Sequence, residues 1–262
     1  MKKLFVLVVL GLCFLLKVAS MPVGSHNGMH FLSDSESNIF FKKFLQNRAR
    51  GDFIFYIRLE TYSKQRGRSC EDGVILCHQI GETPNYYIEI TDGGKNFRKF
   101  LLKDGVVWTN FTKNFDPNEP FLPGSPYAPN DLLLPFLHES CQFKYYGPKR
   151  VCGRTTQQFV VKMDDNLLGQ EIKFARVSID SVFLQALEIE YLNDRQKLLS
   201  KQRVLSLCKR DDYWLPQTLE LFRVNTRERS KITIVDSDFS PELGDAFFEP
   251  DFCSKNSLLR QR

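Results

Sequence analysis

From Phe53 onward the apolar residues of this chain recur with a period of two, in short runs divided by turn residues. That pattern confines the fold to a mainly β architecture, because successive side chains point to opposite faces only in a strand. Phe53, Phe55, Ile57 and Leu59 alternate with Tyr56, Arg58 and Glu60, as on a half-buried strand. Further runs span 73–79, 86–91, 97–103 and 106–110, separated by turn signals such as Asp92-Gly93-Gly94 and Asp104-Gly105. A second series covers 142–146, 151–163, 183–191, 203–208, 213–224 and 231–235. About ten to eleven antiparallel strands with few helices make a sandwich, a barrel or one strongly curved sheet.

Two segments break the pattern. Residues 33 to about 48 predict a helix: Ser33 and Glu36 fit a capping box, and Phe40, Phe41, Phe44 and Leu45 make an apolar stripe at helical spacing. Between the two strand series, Pro117, Pro120, Pro123, Pro126 and Pro129 fall every third residue, the period of polyproline II. Docking modules for such segments are mainly cytosolic, so the reading is an extended, stiff strap across the end or edge of the sheet. Asn130 and Asp131 then cap a short helix over 132–137, which Pro135 shortens or kinks.

The start of the chain predicts export. Lys2 and Lys3 precede an uncharged apolar run over 4–16, and Val18-Ala19-Ser20 supplies small residues for cleavage. The run is shorter than the roughly 20 residues of a membrane helix, and no later stretch reaches that length, so no stable span is expected. Residues 1–20 are read as a secretory signal, 21–32 as a flexible leader, 33–253 as a single domain and 254–262 as a solvated basic tail. The expected compartment is the periplasm, which disfavours nucleotide-driven chemistry. Without Lys2, Lys3 and Lys17 the 36 basic residues fall to 33 against 31 acidic ones, a balance of +2. Nucleic acid is therefore not an expected partner. The 23 Phe against 2 Trp imply a large apolar interior, or an apolar surface that something else covers.

Cys70, Cys77, Cys141, Cys152, Cys208 and Cys253 remain after cleavage. An even number in an oxidising space favours disulfides; the simplest pairing is 70 with 77, 141 with 152 and 208 with 253, one of 15 possible. The alternative is that some stay free as small buried apolar residues.

Signatures of catalysis are sparse. The sequence has no G-x-S-x-G, no Gly-rich phosphate loop, no H-E-x-x-H and no C-x-x-C. His138 near Ser140 and Cys141, and His78 beside Cys77, read as ordinary histidines. Asp164-Asp165 and Asp211-Asp212 read as turn carboxylates, not as a glycosidase pair. Asn110-Phe111-Thr112 is a sequon that matters only in a eukaryotic secretory pathway; the short Lys-rich signal reads as bacterial, so the sequon is read as chance. The expectation is no catalytic residue, no metal and no cofactor. The candidate site is instead the face of a curved sheet lined by alternate side chains: Phe53, Phe55, Ile57, Ile88, Ile90, Trp108, Phe159, Val161, Leu187, Ile189, Leu219 and Leu221. Left unfilled, such a face holds an acyl chain; filled, the same residues are plain core.

Several blocks carry a resemblance. They are Phe53-Ile-Phe-Tyr-Ile-Arg-Leu-Glu, Val106-Val-Trp108-Thr, Gly124-Ser-Pro-Tyr-Ala-Pro-Asn-Asp131-Leu, Tyr213-Trp214-Leu-Pro216 leading into Leu219-Glu-Leu-Phe, and Asp245-Ala-Phe247-Phe-Glu-Pro. In this order they resemble the bacterial outer-membrane lipoprotein-sorting (LolA-like) superfamily, in its broader branch of longer secreted proteins. The resemblance spans roughly 51–253. It implies an unclosed half β-barrel with short α-helices covering the mouth, and a cavity for lipid or lipoprotein acyl chains carried between membrane-bound donor and acceptor proteins. The alternative is a binding or sensor module of the same fold that shuttles nothing; a secreted hydrolase is a third and remoter reading. The standard carriers of the superfamily are shorter and have few cysteines.

Overall fold

The computed structural model describes residues 29–47, 52–64, 66–80, 83–93, 96–103, 106–109, 112–113, 120–133, 137, 141–163, 172–210, 213–239, 241–255 and 257–259. The signal, most of the leader, Asn110, Pro117, His138, and the pairs Asp164-Asp165 and Asp211-Asp212 lie outside the described residues. Among the described residues no helix is long and apolar enough to cross a membrane.

Among the described residues thirteen strands form a single sheet: β1 (Phe53–Ser63), β2 (Gly67–Ile80), β3 (Thr83–Asp92), β4 (Asn96–Lys103), β5 (Val106–Thr109), β6 (Thr112–Lys113), β7 (Phe143–Val151), β8 (Arg154–Lys162), β9 (Phe174–Asp180), β10 (Ala186–Leu192), β11 (Leu198–Arg210), β12 (Tyr213–Arg223) and β13 (Arg229–Phe239). Their order is β6-β5-β4-β3-β2-β1-β13-β12-β11-β10-β9-β8-β7, and every pairing is antiparallel. Two meanders are thus welded where β1 pairs with β13, and β6 and β7 remain as separate edges. The sheet is not closed. It exceeds the expected strand count through β9, which the sequence reading ran past, and through the two-residue β6.

Register fixes the faces. Tyr145, Phe159, Val177, Ile189, Gln202, Leu221, Ser230 and Thr61 stand side by side on eight successive strands. Phe55, Ile75, Ile88, Phe100 and Thr109 continue the same face across the other meander. Strands β1–β4, β7–β10, β12 and β13 contribute to one buried cluster on this face, so the sheet curls about it. Gly73 sits on that inner face between Ile57 and Ile90; a Cβ there would meet them at 3.0 and 3.1 Å. The missing side chain is what lets the three strands crowd together.

Helix α1 (Asp34–Gln46) lies against the inner face. Its start is the expected capping box: the Ser33 N–H donates to the Glu36 carboxylate at 2.8 Å, and the Ser33 hydroxyl accepts from the Glu36 N–H. Phe41, Phe44 and Leu45 are buried in the main cluster, and Phe40 packs beside them.

The described part of the proline segment, 120–129, is not an extended strap. The Phe121 N–H donates to the Tyr127 carbonyl at 2.8 Å and the Ser125 N–H to the Leu122 carbonyl at 2.9 Å, so the segment doubles back. Gly124, at φ 85, supplies the left-handed residue that the reversal needs. A tight loop results, with Phe121, Leu122 and Tyr127 driven into the inner cluster. Helix α2 (Pro129–Leu133) follows, three residues earlier than expected. Pro129 opens it where a missing N–H costs nothing.

The opposite face is outer. Ile54, Leu76, Tyr87, Leu101 and Trp108 form its row. A 3-10 helix (Asp245–Phe248) and α3 (Pro250–Lys255) pack on it through Phe248 and Cys253. Residues expected to fray instead dock: Leu258 and Leu259 join this cluster, and the Leu258 N–H and the Ser257 hydroxyl donate to the fully buried Glu89 carboxylate.

Candidate functional site

Ten of the twelve residues expected to line a trough face the inner cluster: Phe53, Phe55, Ile57, Ile88, Ile90, Phe159, Val161, Ile189, Leu219 and Leu221. Leu187 packs in a smaller adjoining cluster with Val151 and Val204. Trp108 does not belong with them. It pairs with Leu101 on β4 and packs on the outer face against the C-terminal segment. In a four-residue strand the alternation has no phase of its own, and the large ring had been taken to point inward.

The inner face is occupied by the chain itself. The Phe41 ring stacks on Phe143 at 4.0 Å between centroids and tilts against Phe159 at 4.9 Å. Phe40 stacks on Phe159 at 5.9 Å, and Phe100 meets Phe121 edge-on at 5.2 Å. An open trough is therefore not what this conformation presents. Among the described residues a cavity of about 80 Å³ lies there, with Phe44 and Leu137 on one side and Leu187, Ile189, Gln202, Val204, Pro216 and Leu219 on the other. A cavity of about 150 Å³ takes a benzene ring, so this one has room for the end of a chain, not for a whole one. Of the twelve expected lining residues, Leu187, Ile189 and Leu219 border it. Gln202, Val204 and Phe44 were not among them. Alternation through Ser200, Gln202 and Val204 carried the signal, but the polar Gln202 lay just outside the strand as read.

The end of the inner face beneath the proline loop is polar. The Thr61 and Ser230 hydroxyls bond at 2.9 Å, and Ser125 joins them at 3.3 Å. Asp131 accepts from the Ala128 N–H at 2.8 Å, with the Arg223 guanidinium 3.9 Å away. Burial dominates and raises its carboxyl to about 6, although Arg223 and the Ala128 N–H pull the other way. Arg223 also donates to the Pro126 carbonyl, at 2.9 and 3.1 Å, fastening the loop to β12.

On the outer face of the second meander, Glu188 is nearly buried, and burial alone would raise its carboxyl. Hydrogen bonds from Lys149, Lys201 and Arg203 overcome that and hold it at about 2. This network ties β7, β10 and β11 together. His78 is held between Asp52 at 2.8 Å and Asp245 at 3.1 Å and stacks on Phe248, so it clamps the C-terminal segment to β2. Among the described residues no group of His, Cys, Asp and Glu could hold a metal ion.

None of the six cysteines is disulfide-bonded, which corrects the expected pairings. Cys70 and Cys77 lie seven residues apart on one strand, β2, about 23 Å at a strand's rise. Cys141 and Cys152 flank the nine-residue β7, about 30 Å by the same rise. A bridge requires Cα atoms within about 7 Å. Cys208 lies on β11, four strands across the sheet from β2, whereas Cys253 is buried in the outer cluster and donates its thiol to the Phe247 carbonyl. Burial pushes the Cys77 and Cys253 thiols up to about 12.

No protein-family model matches this sequence, and no curated protein does. Solved structures do match. A DUF1329 family protein from Desulfovibrio piger superimposes with a TM-score of 0.67 at 11% identity, over 84% of this chain and 98% of that one. A putative outer membrane lipoprotein-sorting protein domain from Vibrio parahaemolyticus gives 0.64 at 14% identity, over 83% and 97%. A LolA superfamily protein from Nitrosomonas europaea gives 0.64 at 11%, over 82% and 97%. At such identities the likeness is one of fold. The curled, unclosed sheet described above, with a helix and a loop on its inner face, is the fold that these three solved proteins share.

Proposed function

We propose that this chain is a non-catalytic lipid-binding protein of the periplasm, which takes acyl chains onto the inner face of its half-barrel and carries them during outer-membrane lipoprotein sorting. The observation that carries the reading is the position of the cavity. It lies where α1 and Leu137 meet β10–β12, between a helix that belongs to no hydrogen-bonded ladder and a sheet that is fixed by one. Phe44 and its neighbours hold the place that a hydrocarbon chain would take, and a chain entering there widens the space by shifting α1 away from the sheet. Asn47, which donates to the Phe183 carbonyl at 3.0 Å, is the polar tie that such a shift breaks. The fold likeness to a putative lipoprotein-sorting protein domain supports the reading, and so does the export signal expected from residues 1–20.

Titration of the delipidated full chain with a fluorescent long-chain fatty acid tests it. Saturable binding that a non-fluorescent fatty acid displaces is expected; absence of saturable binding overturns it. The packed inner face favours a second reading, a binding or sensor module that keeps its ligand. Incubation with inner-membrane vesicles separates the two: a carrier releases acylated protein into solution, and a sensor does not.

A further inference from the structure

Gln202 is out of place. On its row of the inner face it stands between Ile189 and Leu221, and Val204 follows it on the same face of β11. Its side chain is 5% exposed, and its Oε1 is buried with no hydrogen-bond partner. A buried amide oxygen left without a donor costs the protein stability, and the same residue borders the cavity under Phe44. Among the described residues whose buried polar atoms lack a partner, Gln202 alone lines this cavity.

We infer that the cavity is built for the hydroxyl-bearing end of an aliphatic chain, the hydroxyl donating its proton to Gln202 Oε1 while the adjoining carbons lie against Leu187, Ile189, Val204, Leu219 and Phe44. This rests on the lipid-binding reading above and names the ligand class within it. The cavity size fits a hydroxyl with a few carbons. An amide would suit less well: it satisfies the same acceptor but brings a carbonyl that needs a donor of its own. Plain hydrocarbon fills the space and leaves Oε1 as it is. The inserted hydroxyl thus converts an unsatisfied group into a bonded one, and discrimination follows from that difference more than from contact area.

The experiment is a calorimetric titration of the full chain with two isomers, 1-decanol and nonyl methyl ether. Both have the same atoms and both have an ether or hydroxyl oxygen, but only the alcohol donates. The expected result is that 1-decanol binds about two- to thirteen-fold more tightly, the range of one net hydrogen bond, and that Gln202→Met brings the two affinities together. Equal affinities in the unmodified protein overturn the inference and leave the lipid-binding reading standing. A preference that survives Gln202→Met overturns it as well. Binding of neither isomer overturns both. The isomer comparison in the unmodified protein does not depend on the variant's folding, and a thermal melt of Gln202→Met accompanies it.

Discussion

Asp131 gives the sharpest test of how the inner face is sealed. Its carboxyl is buried under the proline loop and titrates at about 6 in the folded chain, against an ordinary 3.8. Below pH 3.8 the proton is bound in both states, so the group has no effect on folding. Between pH 3.8 and 6 the unfolded chain ionises while the folded chain holds its proton, and stability falls. Above pH 6 the full penalty applies; a shift of about two units corresponds to about 3 kcal/mol. In Asp131→Asn the amide oxygen still accepts from the Ala128 N–H, but a new buried amide donor faces the Arg223 guanidinium, itself a donor, at a cost of about 1 kcal/mol. The variant is therefore expected to be about 2 kcal/mol more stable than the parent at pH 8, and about 0.5 kcal/mol less stable at pH 4. Urea denaturation at pH 4, 5, 6 and 8 reads this directly. The reasoning is refuted if the two stability curves run parallel in pH without crossing.

Two further outcomes follow from the outer face. Glu188 titrates at about 2 instead of 4.5, so it contributes stability above pH 4.5 that is lost as the pH falls towards 2. Glu188→Gln is expected to cost about 3 kcal/mol at pH 7 and progressively less below pH 4.5; an equal loss at pH 7 and pH 2.5 in urea melts counts against the network. Trp108→Ala, which removes contacts with the C-terminal segment, lowers the melting temperature and leaves fatty-acid affinity unchanged. Loss of affinity without loss of stability contradicts its placement on the outer face.

The sequence carried the strands wherever alternation was long and its two faces were unlike. β1 was legible over seven residues because Arg58 and Glu60 oppose Ile57 and Leu59. β9 was missed although Ala175, Val177 and Ile179 alternate with Arg176, Ser178 and Asp180, because its one aromatic residue, Phe174, faces away from the core. The helix was legible because a capping box and a four-residue stripe agreed. The proline period misled because a turn overrides it: once Gly124 adopts a positive φ, the hydrogen bond from Phe121 to Tyr127 closes the loop whatever the spacing of the prolines. The cysteine spacing misled for a related reason, since closeness in sequence along an extended strand is distance in space. Whether the inner face was full or empty was not legible at all, because the same alternation serves both, and the decision rests with how far α1 and the loop reach in.

That reach sets a threshold for ligands. Phe41 and Phe44 are 0% and 4% exposed, and returning two such rings to water costs about 3–6 kcal/mol. Each methylene buried in their place contributes about 0.8 kcal/mol, so the first four to eight methylenes of an entering chain only offset the displaced helix. Affinity for straight-chain alcohols is therefore expected to be undetectable at short lengths, then to rise about four-fold per methylene once the chain is longer than this. Phe41→Ala removes the more deeply buried ring: it destabilises the protein by about 3–5 kcal/mol and moves the threshold to chains two to four carbons shorter. A calorimetric series from hexanol to hexadecanol on both proteins measures the two effects together. A constant increment from the shortest alcohol upward, or a threshold that Phe41→Ala does not move, would mean that α1 stays in place when ligand binds and that its phenyl rings are core, not a stand-in for cargo.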